Sequence, residues 1–249
     1  MSSPASHPPA PHLSVIVPAY NEAATITTTL ASMRRHLDAR RWGYEVIVSA
    51  DGSDGTREKA AAFAPGDARF QVIGSPDRGG KGRGVRAGVL RAAGNFIGFV
   101  DADYKTPIEE IDKLLPFFDR GCDVVIGSRR TDDAQIEVAQ PLYRRWGSRV
   151  FGSVVRGFIG LPKVRDTQCG FKFFTRAAAR SLFSLQRIDG YMFDVEILRL
   201  CRLLNMRVQE VGVRWRDDGD SRYDPVGGTI KNARELLRIR RMRYELKAA

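Results

Sequence analysis

Five short apolar runs in the first half of the chain constrain the fold most: LSVIVP (13–18), YEVIVSA (44–50), FQVIGS (70–75), FIGFVDAD (96–103) and DVVIGS (123–128). Each is rich in Val and Ile and lacks clean polar alternation, as expected of strands covered on both faces. Helical patterns lie between them. In NEAATITTTLASMRRHLDA, Ile26, Leu30, Met33 and Leu37 repeat at helical spacing, with Asn21 as the expected N-cap. A second helix is expected after GKGRG, through Val85, Val89, Ala92 and Ala93. A third is expected from Pro107, a residue suited to the first helical position. Strand and helix alternating in this way imply an α/β fold, a mostly parallel central sheet with helices on both faces.

Ligands of such sheets bind beyond the carboxyl ends of the strands. Here those ends read PAYNE, SADGSDGT, SPDRGGKG, DADYKT and GSRR, so polar residues converge on one rim. Asp101 and Asp103 are separated only by Ala102. In an extended segment, residues i and i+2 point to one side. Two carboxylates held together repel, and a hard cation such as Mg2+ or Mn2+ resolves the repulsion while carrying substrate phosphates. The alternative is a solvated turn whose aspartates cap the helix after Pro107. The segment GGKGRGVRAG places Gly82, Gly84 and Ala87 in GxGxxA spacing, a dinucleotide-binding pattern that would make the chain an oxidoreductase. The pattern follows the third strand, whereas the fingerprint belongs on the first. A glycine turn, or Lys81, Arg83 and backbone donors holding a nucleotide, explains it as well. His7, His12 and His36 stand at no strand end, which argues against Ser/His hydrolysis and a His-rich metal site.

The second half reads differently. Residues 142–161 form a helical candidate with an apolar face from Trp146 to Ile159, including Val154, Val155 and Phe158. The loop KVRDTQCGFKFF (163–174), a helix around 190–204 and a strand VQEVGVRW (208–215) follow. From Thr229 the chain reads as a basic amphipathic helix, and residues 1–12 as a Pro/Ser/Ala-rich disordered tail. Lys plus Arg number 40 against 29 Asp plus Glu, a net charge of +11, which favours phosphate-bearing substrates, anionic membranes or nucleic acid. The aromatics fall mostly in apolar patterns, so a nucleic-acid platform is not expected. Three scattered cysteines without CxxC argue against a disulfide framework or zinc and for a reducing compartment. No run reaches the ~18 apolar residues of a membrane span. A cytoplasmic protein, soluble or peripheral on the cytoplasmic face of a membrane, is expected.

In this order and spacing, VIVPAYNE, ADGSDGT, DAD and GSRR resemble the family 2 glycosyltransferases of the GT-A fold. RDTQCGFKFF, FDVEIL and VGVRWRDDGDSR are similar to the dolichyl-phosphate β-glucosyltransferases, and more distantly to the dolichol-phosphate mannose synthases. The resemblance runs from about Leu13 to Leu237. It implies one GT-A domain over 13–228, with a nucleotide-sugar half (13–130) and an acceptor half (131–228), followed by the basic helix (229–249). It implies that Pro18, Tyr20, Glu22 and Asp51 hold the nucleoside, and that Lys81 lies near the nucleotide. Asp101 and Asp103 face the metal and diphosphate, Asp103 as a catalytic residue. Arg129, Arg144 and Ser148 match positions that hold the acceptor phosphate, and Ser221 and Arg222 a pair that closes over the phosphates. Two positions depart from the family. Ala50 replaces the first of two aspartates before Gly-Ser, and Lys105 stands where mannose synthases often carry a metal-binding Gln, which favours glucose over mannose.

The implied reaction moves a hexose from UDP-glucose, or alternatively GDP-mannose, to a polyprenyl phosphate with inversion. Metal and cations stabilise the leaving diphosphate. A lipid phosphate is already ionised and requires no strong base. Asp194 in FDVEIL is the base to consider if the acceptor is instead a soluble hydroxyl. The 146–159 face and the basic C-terminal helix are the expected contacts with an anionic membrane.

Overall fold

The computed structural model describes residues 11–40, 42–138, 152–216 and 227–245, the side chains of 227–229 excepted. Nine strands are described: β1 (Leu13–Tyr20), β2 (Tyr44–Asp51), β3 (Phe70–Ile73), β4 (Phe96–Val100), β5 (Val124–Ser128), β6 (Gln135–Val138), β7 (Phe171–Thr175), β8 (Val208–Gly212) and β9 (Arg214–Arg216). Seven of them form one sheet in the order β3-β2-β1-β4-β7-β5-β8, and β6 pairs with β9 in a small second sheet. All pairings in the large sheet are parallel except those of β7, which runs antiparallel between β4 and β5. The helices are α1 (Ile26–Asp38), α2 (Thr56–Phe63), α3 (Lys81–Arg91), the short α4 (Ile111–Leu114) and α5 (Pro116–Asp119), α6 (152–159), α7 (Arg176–Leu185), α8 (Phe193–Leu203) and α9 (Gly227–Arg241).

The expected α/β architecture is present, and the reason is legible in β1. Val15 and Val17 enter a core with Ile26, Leu30, Met33 and Leu37 of α1, while Ile16 enters a second core with Val85 and Val89 of α3. From Leu13 to Val17 the strand is thus covered whichever way a residue points, which is why the run is Val/Ile-rich and unalternating.

Several local expectations change. Helix α1 begins at Ile26 with Thr25 at its N-cap, and Asn21 sits five residues earlier at φ 56°. Its short amide side chain tolerates that left-handed turn, so Asn21 shapes the loop and is not the N-cap of α1. Helix α3 starts inside GKGRG, at Lys81, and Ala93 lies beyond its end. Pro107 precedes a 3-10 turn, Ile108–Glu110, that leads into α4. The stretch expected to be one strand at 208–215 breaks at Val213 and serves two sheets. FKFF (171–174), expected to be loop, lies in the central antiparallel strand β7.

The proposed apolar face of 142–161 is described only from residue 152 onward, so Trp146 and Val150 lie outside the described residues. Within α6 the face divides. Val155 and Ile159 are core, Phe158 packs beside them under the Arg240 guanidinium, and Val154 is 59% exposed. Helix α9 also divides: Leu236 and Ile239 join the core, while Ile230 and Leu237 are exposed among its arginines. No helix among the described residues is long and apolar enough to cross a membrane.

Candidate active site

The carboxyl ends of β1, β2, β4 and β5 lie on one edge of the sheet, and antiparallel β7 starts from that edge. Asp101 follows the last residue of β4, and its backbone N–H donates to the Gly170 carbonyl at 3.1 Å. The two aspartates stand on a turn, because the strand stops at Val100 and Tyr104 takes φ 56°. The i, i+2 argument from an extended strand therefore does not apply, yet the carboxylates remain close enough to repel. Burial, and next the Asp101 charge, push the Asp103 carboxyl above its usual range, against the pull of Lys105 and Lys81. Each aspartate faces an ammonium. Lys81 Nζ is 2.6 Å from Asp101 Oδ1, and Lys105 Nζ is 3.5 Å from Asp103 Oδ2.

The residues expected at the nucleoside cluster beside this pair. Tyr20 and Asp51 are neighbours in the β1–β2 register, and Pro18 stands two residues before Tyr20. The Arg78 guanidinium lies 4.4 Å from the Tyr20 ring centre. Asp51 accepts backbone N–H groups from Ser75 (3.2 Å) and Gly79 (2.8 Å), so it ties the end of β2 to the glycine turn that leads into α3. The Glu22 carboxylate accepts the Thr25 hydroxyl at 3.0 Å, and its backbone N–H donates to Thr56 Oγ1 at 2.7 Å. Asp54, not singled out from sequence, accepts N–H groups from Ala23 and Thr56 and locks the same corner.

On the other side of Asp101, Arg129 is held by Asp166. Two guanidinium bonds, 2.7 Å from Nε and 2.9 Å from Nη2, join a backbone bond to the same carboxylate. Burial would raise the Asp166 pKa, but the Arg129 charge overrides it and holds the carboxyl well below the usual range. The carboxylate of Glu210 in turn accepts the backbone N–H groups of Arg165 and Asp166, at 2.8 and 2.7 Å. Arg129 also lies over Trp215, 5.5 Å from the ring centre. Arg144, Ser148, Ser221 and Arg222, the remaining residues expected to meet phosphates, lie outside the described residues.

Asp194 is not placed as a base. It is 3% exposed at the start of α8, and Lys172 Nζ, itself fully buried, sits 2.6 Å from its Oδ1. A base must reach the acceptor proton, and this carboxylate is instead the counter-ion of a buried lysine. Asp166, Gly170 and Lys172 were missed individually, although all three belong to RDTQCGFK. A side chain at Gly170 would run into the Asp101 carboxylate. The motif thus lays Asp166 on Arg129, Gly170 on Asp101 and Lys172 on Asp194.

Among the described residues no cluster of three or more His, Cys, Asp or Glu is present. A metal at this rim would have Asp101 and Asp103 as its protein ligands, and hard carboxylate oxygens would suit Mg2+ or Mn2+ with the other positions left to phosphate and water. The mutual repulsion at Asp103 fits such a cation, which on binding would neutralise the leaving diphosphate.

A parallel-dominated sheet with paired aspartates and basic residues on its carboxyl rim is the arrangement of a nucleotide-diphosphate-sugar transferase. The chain belongs to glycosyltransferase family 2: residues 14–183 match the family described as Glycosyl transferase family 2. It is 36% identical over 239 residues to a dolichyl-phosphate beta-glucosyltransferase of Trichomonas vaginalis, covering 90% of this chain and 69% of that protein. Against the dolichyl-phosphate beta-glucosyltransferase of Drosophila melanogaster it is 35% identical, covering 93% and 75%. The fold is that of glucosyl-3-phosphoglycerate synthase from Mycobacterium tuberculosis, solved with Mn2+, UDP-glucose and phosphoglyceric acid. That match has a TM-score of 0.67 at 20% identity and covers 92% of this chain and 78% of that one. The dinucleotide-dependent oxidoreductase reading of GxGxxA falls with the family assignment. Gly82 and Gly84 serve packing there, Gly82 against Phe193 and Gly84 against Ser49.

Proposed function

We propose that this protein transfers glucose from UDP-glucose to a dolichyl or related polyprenyl phosphate, forming the β-linked lipid phosphate sugar. The observation that carries the reading is 36% identity, across nine-tenths of the chain, to a dolichyl-phosphate beta-glucosyltransferase. UDP-glucose is chosen because the fold neighbour binds it with Mn2+. The rim is consistent with this chemistry. Asp101 and Asp103 hold the cation and diphosphate, Lys81 and Lys105 exchange their carboxylate partners for phosphate oxygens, and Arg129 presents its charge to the acceptor. A phosphate nucleophile is already ionised, which agrees with the absence of an accessible base at Asp194. The acceptor is a lipid, so the rim works against a membrane. Exposed Val154 and the basic face of α9 are the proposed contacts with anionic headgroups.

The test offers radiolabelled UDP-glucose, GDP-mannose and other sugar nucleotides with polyprenyl phosphate and counts organic-extractable label. Label from UDP-glucose alone is expected. Label from GDP-mannose alone replaces the donor, and transfer only to water-soluble acceptors overturns the lipid.

A further inference from the structure

Four charges follow one another inward from the rim: Asp101 and Lys81, with side chains 37% and 17% exposed, then Asp194 and Lys172, both buried, and only Asp101 belongs to the proposed metal site. Lys172 comes from β7, Asp194 from α8, Lys81 from α3, and Asp101 from the end of β4. Lys172 donates to Asp194 Oδ1 and to the Cys169 carbonyl, both at 2.6 Å. Lys81 closes on Asp101 at 2.6 Å and also feels the Asp194 charge. The two cations and two anions cancel. A buried ion pair is a weak device for stability, since apolar residues of similar volume often do as well. Its cost in desolvation therefore asks for another use.

We propose that Lys172 and Asp194 are positioning residues, whose buried pair fixes Lys81 at the rim to receive the diphosphate of the donor. This rests on the donor reading given above. When metal and diphosphate claim Asp101, Lys81 loses its nearest anion. Asp194, fixed from behind by Lys172, remains as the second anion and keeps the ammonium in place.

The backbone supports the same arrangement. The first turn of α3 is bolted to the segment that ends in α8. The Arg83 N–H donates to the Asp189 carbonyl at 3.2 Å, and Gln186 Nε2 donates to the Gly82 carbonyl at 2.9 Å. A methyl on Gly82 would come within 2.6 Å of Phe193 Cβ, so the residue next to Lys81 touches the residue next to Asp194. If Lys172 were absent, Lys81 would be the remaining cation that acts on Asp194 and would be drawn inward, away from the diphosphate.

The test is calorimetric binding of UDP, GDP, uridine and guanosine, with and without Mg2+, to the wild type, to Lys172→Met and to the charge-neutral double variant Lys172→Met/Asp194→Asn. The double variant is expected to fold and to lose about tenfold or more in diphosphate affinity while nucleoside affinity stays within about twofold. A folded double variant that binds the diphosphate as the wild type does overturns the proposal and leaves the pair a packing feature. If the double variant does not fold, Lys172→Met decides, because Asp194 there retains Lys81 as a partner. A tenfold loss confined to the diphosphate supports the inference, and unchanged binding overturns it. Failure of the wild type to bind either diphosphate overturns both this inference and the donor reading, whereas wild-type binding without label transfer to lipid overturns only the acceptor.

Discussion

The Arg129 guanidinium grips the buried Asp166 carboxylate through Nε and Nη2, at 2.7 and 2.9 Å, so a residue expected to serve the acceptor also closes the floor of its own site. That double duty decides what its removal does. Arg129→Ala strands an ionised carboxylate that is almost wholly buried. Breaking such a pair from one side costs about 3–5 kcal/mol, so urea unfolding should show a large loss along with the loss of transfer. Because Asp166 is held below its ordinary range, the pair's contribution is complete above the unfolded carboxyl value of about 3.9 and declines as pH falls below it. The stability gap between wild type and variant should therefore be full at pH 7 and narrow below about pH 4. A constant gap across that range would show that the lost stability is packing and not charge.

Gly170→Ala tests the closest approach in the site. Its methyl would meet the Asp101 carboxylate, and the Gly170 carbonyl anchors the Asp101 N–H at 3.1 Å. Overpacking of this kind costs about 1–3 kcal/mol. Displacing a group that takes part in the reaction by about 1 Å can lower turnover roughly a hundredfold. The expected result is a modest fall in melting temperature with a large fall in kcat. Equal activity in wild type and variant would remove Asp101 from the reaction.

Much of this was open to reading along the chain, and most of the failures have one cause. The strands β1 to β5 were visible because burial on both faces writes itself locally, as Val and Ile runs. Asp101 and Asp103 were visible because a strand end carries its ligands in adjacent positions. Strand β7 was not, because Lys172 interrupts FKFF and a lysine reads as solvent-facing. Asp194, 22 residues later, supplies the counter-charge that makes that lysine tolerable in a core. Asp166 was hidden in the same way, since its partner Arg129 lies 37 residues back. Asn21 misled because a cap and a left-handed turn favour the same residue type. What sequence hides here is pairing across distance.

Asp103→Ala should abolish turnover and leave the fold intact. The carboxylate lies partly exposed on a turn, burial and Asp101 both oppose its charge, and no core packing depends on it. Metal stabilisation of a developing diphosphate is worth several kcal/mol, which corresponds to a loss of about a hundredfold or more. Excess chelator should silence the wild type to the same level, with recovery on adding Mg2+ or Mn2+. Undiminished activity in chelator would leave Lys105, 3.5 Å from Asp103, as the better carrier of charge at this position.

Two adjacent valines allow the proposed membrane contact to be tested apart from core packing. Val154 is 59% exposed on α6, whereas Val155 is fully buried among Ile159 and the second core. Val154→Ser should leave the melting temperature unchanged and weaken binding to vesicles containing anionic lipid. Val155→Ser should do the reverse first, losing about 1–3 kcal/mol because a buried apolar side chain gives way to an unpaired hydroxyl. Wild-type binding should be stronger on anionic than on neutral vesicles, since each well-placed Lys or Arg contributes about 1 kcal/mol, and it should fall as salt screens the charges. The exposed arginines of α9 share in that term, so Arg238→Ala with Arg241→Ala should flatten the salt dependence without touching Leu236 or Ile239, which hold the helix to the core. Co-sedimentation across a salt series reads all of these. If Val154→Ser binds vesicles as the wild type does while the arginine pair does not, attraction is electrostatic alone and α6 does not insert. If neither change matters, the lipid acceptor reaches the rim by another surface.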